Sequence, residues 1–190
     1  YEVALALSKL GIKTTLVAGP SKINFSKEVI TKNVMSGSEM MNEVKNSLPV
    51  DIAVCAAAVS DFKPLKKNKR KIKKNNNNSS IIKLEKNLDI LEYLGKNNKL
   101  RPKIVVGFSA ETENLIENSK IKLKDKYCDL IVANDVSSKD SGFNVDYNKV
   151  SIIDKYGKIL SIRKNKKSFI ATKIAKKILE EYLVDDKNIN

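Results

Sequence analysis

The sequence predicts an open, mostly parallel α/β sheet with helices on both faces, closed by a C-terminal β-hairpin and a helix. Near-continuous apolar runs at residues 51–59, 103–112 and 129–135 are typical of strands buried on both faces. Amphipathic helical patterns alternate with these runs along the chain, as in α/β folds. The length of 190 residues and a hydrophobic content of 42% predict one domain, residues 1–190, with a core of its own.

Each element is predicted from its periodicity and its boundary residues. Ser38 is the expected cap of the second helix, Gly11 the stop signal of the first, and Tyr156-Gly157 the turn of the hairpin. The predicted strands are residues 12–20, 27–34, 51–59, 81–87, 103–112 and 129–135, and the hairpin covers residues 149–163. The predicted helices are residues 1–11, 36–48, 88–98, 114–127 and 166–183.

The composition excludes several kinds of chemistry. The chain has no histidine, which rules out a histidine base and histidine-ligated zinc, and two cysteines cannot complete a four-ligand zinc site. Cys55 and Cys128 lie in or beside apolar runs, which predicts reduced thiols in a cytoplasmic protein. No apolar stretch approaches the roughly 18 residues of a membrane span. Lys, Asp, Asn, Ser, backbone amides or a divalent cation must therefore carry any reaction.

The net charge of +14 implies attraction for anions, which include nucleic acid, anionic lipid and phosphorylated small molecules. Lys and Asn are abundant along the whole chain, however, and this favours solvation and compositional bias over a polyanionic partner. The first residue is a tyrosine and a helical pattern begins there without a capping residue. We therefore expect an upstream segment to be missing.

Polar or small residues follow three predicted strands, at the sheet edge where open α/β folds bind ligands. The three strand ends are residues 57–61, 107–112 and 133–135, and the candidate residues in or beside them are Ala56, Ala57, Ala58, Asp61, Phe108, Asn134 and Asp135. The alanines would let a ligand lie against the backbone, or would make room for a helix, and Asp61 could bind a ribose hydroxyl or a metal. Phe108 fits either the core or the wall of a base site, and Asn134-Asp135 also fits an ordinary cap and turn.

Residues 62–80 form a predicted flexible basic loop, with seven basic side chains between Lys66 and Lys74 and a run of four asparagines. A loop of this length inside a compact domain is commonly a lid or a disordered segment. Phe62 is its single aromatic residue, whereas nucleic-acid binding usually uses several. From the residues alone, a phosphate-covering lid, a solvated segment and a nucleic-acid contact all stay open.

Several motifs, taken together and in order, resemble the bacterial phosphopantothenate–cysteine ligase family. They are "CAAAVSDFKP", "KIKK", "KNLDIL", "VVGFSAET", a Lys-x-x-x-Lys pair and "DLIVANDVS…GFN". The resemblance implies a Rossmann-like fold, a cytoplasmic homodimer and CTP-dependent ligation of L-cysteine to 4′-phosphopantothenate through an acyl-cytidylate, assisted by Mg²⁺. For the dimer, residues 149–163 and residues 81–84 are both possible contact regions.

The resemblance also assigns roles to individual residues. Lys71 matches the loop lysine that reaches the phosphates, so the resemblance favours the lid and makes Lys71 the expected catalytic residue; no protein metal ligand is assigned. Family members typically have proline at the position of Leu88. The expected nucleotide-binding residues are Cys55, Ala56, Ala57, Asp61, Lys71, Leu88, Asp89, Ile90, Leu91, Phe108, Lys122 and Lys126, with Asn134 and Asp135 as further candidates.

The sequence departs from the family at its start. Family members have an upstream strand, a glycine-rich turn and an asparagine that holds the acyl-cytidylate, usually behind a fused FMN-dependent decarboxylase. We therefore expect residues 1–190 alone to have little or no ligase activity. The alternative is a non-enzymatic, basic α/β nucleic-acid-binding protein. A dinucleotide-dependent oxidoreductase is disfavoured because no Gly-x-Gly-x-x-Gly follows a strand.

Overall fold

The structure, a computed structural model, describes residues 1–66, 81–96, 99–136 and 146–187. The helices are α1 (Glu2–Lys9), α2 (Gly37–Ser47), α3 (Ile90–Lys96), α4 (Leu115–Asp125) and α5 (Lys167–Lys187). The strands are β1 (Thr15–Ala18), β2 (Ile30–Asn33), β3 (Ile52–Cys55), β4 (Phe62–Pro64), β5 (Leu84–Lys86), β6 (Ile104–Glu111), β7 (Leu130–Asp135), β8 (Tyr147–Asp154) and β9 (Ile159–Lys166).

A five-stranded sheet in the order β3-β6-β7-β8-β9 forms the centre of the molecule. β3, β6 and β7 run parallel, and the hairpin β8–β9 adds two antiparallel strands at one edge. Gly157 forms the hairpin turn with a φ of 86°, a left-handed conformation that glycine adopts without strain. The prediction of an open, Rossmann-like α/β sheet with a C-terminal hairpin and helix is confirmed.

Helices cover both faces of this sheet. One face packs against α1 and α5, and its core includes Val106, Val132 and Ile174. The other packs against α2, α3 and α4, and its core includes Val105 and Ile131. Consecutive residues along β6, and likewise along β7, are thus fully buried on opposite faces of the sheet. Burial of each of these side chains stabilises the fold by about 1.5–3 kcal/mol. The continuous apolar runs in the sequence follow from this two-sided burial.

Two smaller strand pairs lie beside the main sheet. β1 and β2 form a parallel pair that, within the described ranges, is not hydrogen-bonded to the five strands. Val17 of β1 nevertheless packs against the same core as α2 and α3, so this pair belongs to the same layered body. β4 and β5 form a short antiparallel ribbon, with Phe62 opposite Lys86 and Pro64 opposite Leu84.

The structure corrects the predicted cap of α2, which is Ser36 and not Ser38. The Ser36 hydroxyl accepts a hydrogen bond from the Glu39 N–H at 3.2 Å, and the Glu39 carboxylate accepts one from the Met35 N–H at 2.9 Å. The Ser36 hydroxyl also donates to the other Glu39 carboxylate oxygen at 2.9 Å. This arrangement resembles a capping box, in which an acidic residue stands three positions after the cap, but here the carboxylate binds the N–H of Met35 instead of that of Ser36. Ser36 has Glu39 at that position, whereas Ser38 is followed three positions later by Met41.

Several other predicted boundaries also change. The third predicted strand, residues 51–59, is reduced to Ile52–Cys55. α4 ends at Asp125, because Tyr127 adopts a left-handed φ of 54° that terminates the helix. The predicted flexible segment 62–80 begins with the strand Phe62–Pro64, held by its pairing with β5. Among the described helices, none is long and apolar enough to cross a bilayer.

Candidate functional site

The sheet register brings the predicted strand-end residues to one edge. Cys55, the last residue of β3, lies opposite Gly107 of β6, and Glu111 at the end of β6 lies opposite Asp135 of β7. The exposed Ala56 and Ala57 follow β3 directly, beside the end of β6. The carboxyl ends of the three parallel strands therefore form one continuous edge, where an open α/β sheet binds its ligands.

Cys55 contributes to this edge through packing rather than through a reactive thiol. Burial, reinforced by the nearby Asp89 carboxylate, raises the pKa of Cys55 to about 12, so the thiol is neutral at physiological pH. Its neighbour Gly107 leaves little room for a side chain. A Cβ there would approach Leu91 Cδ2 and Ile131 Cδ1 at 2.7 Å each. The glycine allows α3 to pack directly on β6.

Asn87 connects the turn after β3 to the start of α3. Its backbone N–H donates to the Asp61 carbonyl at 2.7 Å, its side-chain amide donates to the Ser60 carbonyl at 3.0 Å, and its Oδ1 accepts from the Leu88 N–H at 3.0 Å. Asp61 and Leu88, both predicted site residues, are thereby held close together. Asn87 is not among the site residues predicted from the sequence, although it lies within the "KNLDIL" motif.

Residues 88–91 divide between the surface and the core. Leu88 is 52% exposed, whereas Ile90 and Leu91, the first residues of α3, are buried in the core between α2, α3 and the sheet. Asp89 caps α3, since its Oδ1 accepts a hydrogen bond from the Glu92 N–H at 2.9 Å. Of these four predicted residues, Leu88 and Asp89 therefore have side chains that can reach a ligand, while Ile90 and Leu91 offer their backbone.

Lys126 lies in a cluster of charged residues between α3 and α4. Its ammonium group is 2.9 Å from Asp89 Oδ2 and 3.1 Å from Glu92 Oε2. The Lys96 ammonium is 2.6 Å from the other Glu92 oxygen, Oε1. Glu92 and Lys96 were not among the residues assigned from the sequence, because spacing alone does not bring α3 beside Lys126.

These contacts keep the cluster ionised at neutral pH. Hydrogen bonds from Lys96 and then from Lys126 lower the pKa of Glu92 to about 2. Burial alone would raise the pKa of Asp89, but hydrogen bonds from the Glu92 N–H and from Lys126 outweigh it, and the net pKa is lowered. The Asp89 hydrogen bond, joined by that of Glu92, raises the pKa of Lys126.

Lys122 and Lys126, which the i, i+4 spacing places on one face of α4, have different environments. Lys122 is half-buried and forms no ion pair with any residue in the described ranges. Lys126 is the residue that ends the helix and pairs with two carboxylates. A phosphate could meet Lys122 directly, but at Lys126 it would meet an ammonium group that already has partners.

Phe108 and Asn134 face the opposite side of the sheet. Phe108 packs against the core beneath α5, on the face away from Cys55 and Leu91. Asn134 Oδ1 is buried and, among the described residues, has no hydrogen-bond partner. Asp135 Oδ2 accepts a hydrogen bond from Lys149 Nζ at 3.2 Å. The Phe108 side chain is therefore separated by the sheet from the Lys126 cluster.

A groove of about 660 Å³ runs along α2 and α3 beside the cluster, a volume typical of small-molecule sites. Its lining includes Leu88, Asp89, Glu92 and Lys96, but not Cys55. Residue Lys71, the predicted catalytic lysine, lies outside the described residues. Within the described part of the chain, no group of three or more cysteine and acidic residues could hold a metal ion.

Comparison with known proteins identifies the family. The model of the DFP family, described as the DNA/pantothenate metabolism flavoprotein C-terminal domain, matches residues 1–182. The chain belongs to this family. It is 41% identical over 170 residues to the coenzyme A biosynthesis bifunctional protein CoaBC of Borreliella burgdorferi, covering 88% of this chain and 42% of that protein. The CoaBC of Haemophilus influenzae is 37% identical over 184 residues, covering 96% and 45%.

A solved structure supports the same conclusion for this DFP domain. The crystal structure of the C-terminal domain of CoaBC matches with a TM-score of 0.77 and 30% identity, covering 98% of this chain and 82% of that one. The resemblance to the bacterial ligase family is thus confirmed, and so is the fold that it implied. The chain spans less than half the length of the two CoaBC relatives that it matches.

Proposed function

We propose that this DFP domain carries out the phosphopantothenate–cysteine ligase reaction of coenzyme A biosynthesis, with CTP as the activating nucleotide. The supporting observation is the convergence of Ala56, Ala57, Asp61 and Leu88 at the carboxyl end of the sheet, where Asn87 ties two chain segments together. The relatives' role in coenzyme A biosynthesis agrees with this reaction.

In the proposed reaction, the carboxylate of 4′-phosphopantothenate attacks the α-phosphorus of CTP. A P–O bond forms, the bond to the β-phosphate breaks, and pyrophosphate leaves. The amine of L-cysteine then attacks the acyl carbon of the acyl-cytidylate, forming the amide as CMP leaves and the nitrogen loses a proton. Both steps depend on holding reactants together and neutralising phosphate charge, which a chain without histidine can achieve with lysines and backbone amides.

Different residues of the site would have different roles in this reaction. The exposed backbone at Ala56 and Ala57 would support the nucleotide, and Asp61 would lie within reach of its ribose. Lys71, on the basic loop, would neutralise the phosphates as pyrophosphate departs. Mg²⁺ would bind mainly through phosphate oxygens and water, as it commonly does with nucleotides. The absence of an acidic ligand cluster in the described part of the chain is compatible with that arrangement.

The proposal extends to the assembly. The resemblance implies a homodimer and fusion to an FMN-dependent decarboxylase in the longer protein. Of the two expected contact regions, we favour residues 81–84, which lead into β5, because Ile81, Ile82 and Leu84 are 88%, 64% and 58% exposed. In the hairpin, the aliphatic side chains Ile159 and Leu160 are 41% and 43% exposed, and its most exposed large hydrophobic side chain, Tyr156 at 73%, carries a polar hydroxyl.

A pyrophosphate-release assay tests the reaction. Residues 1–190 and a form extended upstream would each be given CTP, 4′-phosphopantothenate and cysteine, with ATP in place of CTP as a parallel arm. We expect CTP-dependent release in the extended form and little in residues 1–190. Salt-sensitive binding to generic DNA, with no CTP-dependent release in either form, would favour the basic nucleic-acid-binding alternative that the charge of +14 suggests.

A further inference from the structure

Glu92 bridges two lysines in the way that a phosphate group would. Its Oε1 is 2.6 Å from the Lys96 ammonium and its Oε2 is 3.1 Å from the Lys126 ammonium. Two oxygens of one anion thus contact two separate cations. A phosphate presents the same combination of negative charge and spaced acceptor oxygens.

We propose that Glu92 is an intramolecular competitor of the nucleotide phosphates, which must displace its carboxylate to reach Lys126 and Lys96. This inference rests on the proposed function and on the expectation, from the family resemblance, that Lys126 contacts the nucleotide. It adds a role for Glu92. The Glu92 carboxylate lowers the affinity of the site for the nucleotide and thereby sets the nucleotide concentration at which the site fills.

Glu92 is the partner of Lys126 that can leave most readily. The second partner, Asp89, is fixed by its other oxygen, which caps α3 through the Glu92 N–H. The Glu92 side chain does not cap a helix, because Glu92 lies within α3, and it is 30% exposed to solvent. Exposed ion pairs contribute little net free energy, so a multiply charged phosphate can replace this carboxylate.

The location of the cluster also fits competition. Glu92 and Lys96 line the same groove as Leu88 and Asp89, two residues expected to contact the nucleotide. A phosphate in this groove would lie close to the Glu92 carboxylate. Unless the carboxylate moved away, like charges would face each other at short range, which opposes binding.

Isothermal titration calorimetry with two ligands, CTP and inorganic tripolyphosphate, tests the proposal on the same upstream-extended form that the pyrophosphate-release assay uses. The variant Glu92→Gln keeps the shape of the side chain and removes its charge, and Glu92→Ala serves as a second variant should the first fold poorly. We expect both ligands to bind about two- to five-fold more tightly to Glu92→Gln, the range that one exposed ion pair accounts for. In a Lys126→Gln background, the same change should have less than half this effect.

Glu43→Gln is the matched control. Glu43 pairs with the single lysine Lys32, its side chain is 25% exposed, and it lies outside the groove. Removing its charge raises the net charge by the same amount, so tightening in this variant of equal size would overturn the proposal. Circular dichroism and the thermal midpoint would verify that each variant is folded.

The two ligands separate this inference from the proposed function. Tighter tripolyphosphate binding without any CTP binding would support competition and contradict the CTP-dependent ligase. CTP binding that is equal or weaker in Glu92→Gln would overturn competition and leave the ligase standing. Failure of both ligands to bind any variant would contradict both.

Discussion

At the scale of single residues, Lys71 has the most specific expected role. Lys71→Gln removes one positive charge from the proposed phosphate contact without shortening the side chain greatly. We expect kcat for CTP-dependent pyrophosphate release in the upstream-extended form to fall by about 10²–10³, the cost of removing one electrostatic stabiliser of a transition state. The thermal midpoint should not change.

Lys74→Gln, in the same basic loop, is the control for Lys71→Gln because it makes the same chemical change three residues away. Equal losses in the two variants would mean that the loop acts through its total charge. A loss confined to Lys71→Gln would support a specific phosphate contact.

Individual residues also mark what the sequence could predict. The strand end at Asp135 was predictable, because a long apolar run followed by polar residues identifies a buried parallel strand. The end of β3 at Cys55 was not, because the apolar run continues to Val59. The cluster of Asp89, Glu92 and Lys126 was not, because it depends on how closely α3 approaches α4. The cap at Ser36 was predictable from Glu39 three residues later, whereas Ser38 lacks an acidic residue at that spacing.

At the scale of elements, α3 packs closely against the end of α4 because Gly95 has no side chain. A Cβ on Gly95 would lie 2.0 Å from the Lys126 carbonyl oxygen and 3.1 Å from that of Tyr127. Arg101 fixes the same junction, because it donates to the Gly95 carbonyl at 3.1 Å and to the Tyr127 carbonyl at 3.0 Å. The two helices can be this close because residue 95 has no side chain.

Gly95→Ala should therefore destabilise the domain by about 1–3 kcal/mol, the usual cost of forcing an extra methyl group into a packed junction. Urea denaturation followed by circular dichroism would measure the change. Gly19→Ala is the matched control, since a Cβ there would find its nearest neighbour, Met40 Cε, at 3.9 Å. Equal stability of the two variants would contradict the close packing of α3 on α4.

The whole molecule combines a rigid sheet with a site assembled from several segments. β3, β6 and β7 share a core that is buried on both faces, so their carboxyl ends are fixed relative to one another. The order of strands within this sheet was not predictable from periodicity, which indicates that a strand exists but not which strand it pairs with. The separation of β1–β2 from the five strands, among the described residues, was likewise not foreseen.

The account depends most on where the nucleotide binds relative to this sheet. A crystal structure of the chain with CTP tests that point directly. We predict the nucleotide at the carboxyl end of β3, against Ala56 and Ala57 and beside Leu88 and Asp89. CTP bound at another surface, with the ends of β3 and β6 empty, would contradict the account.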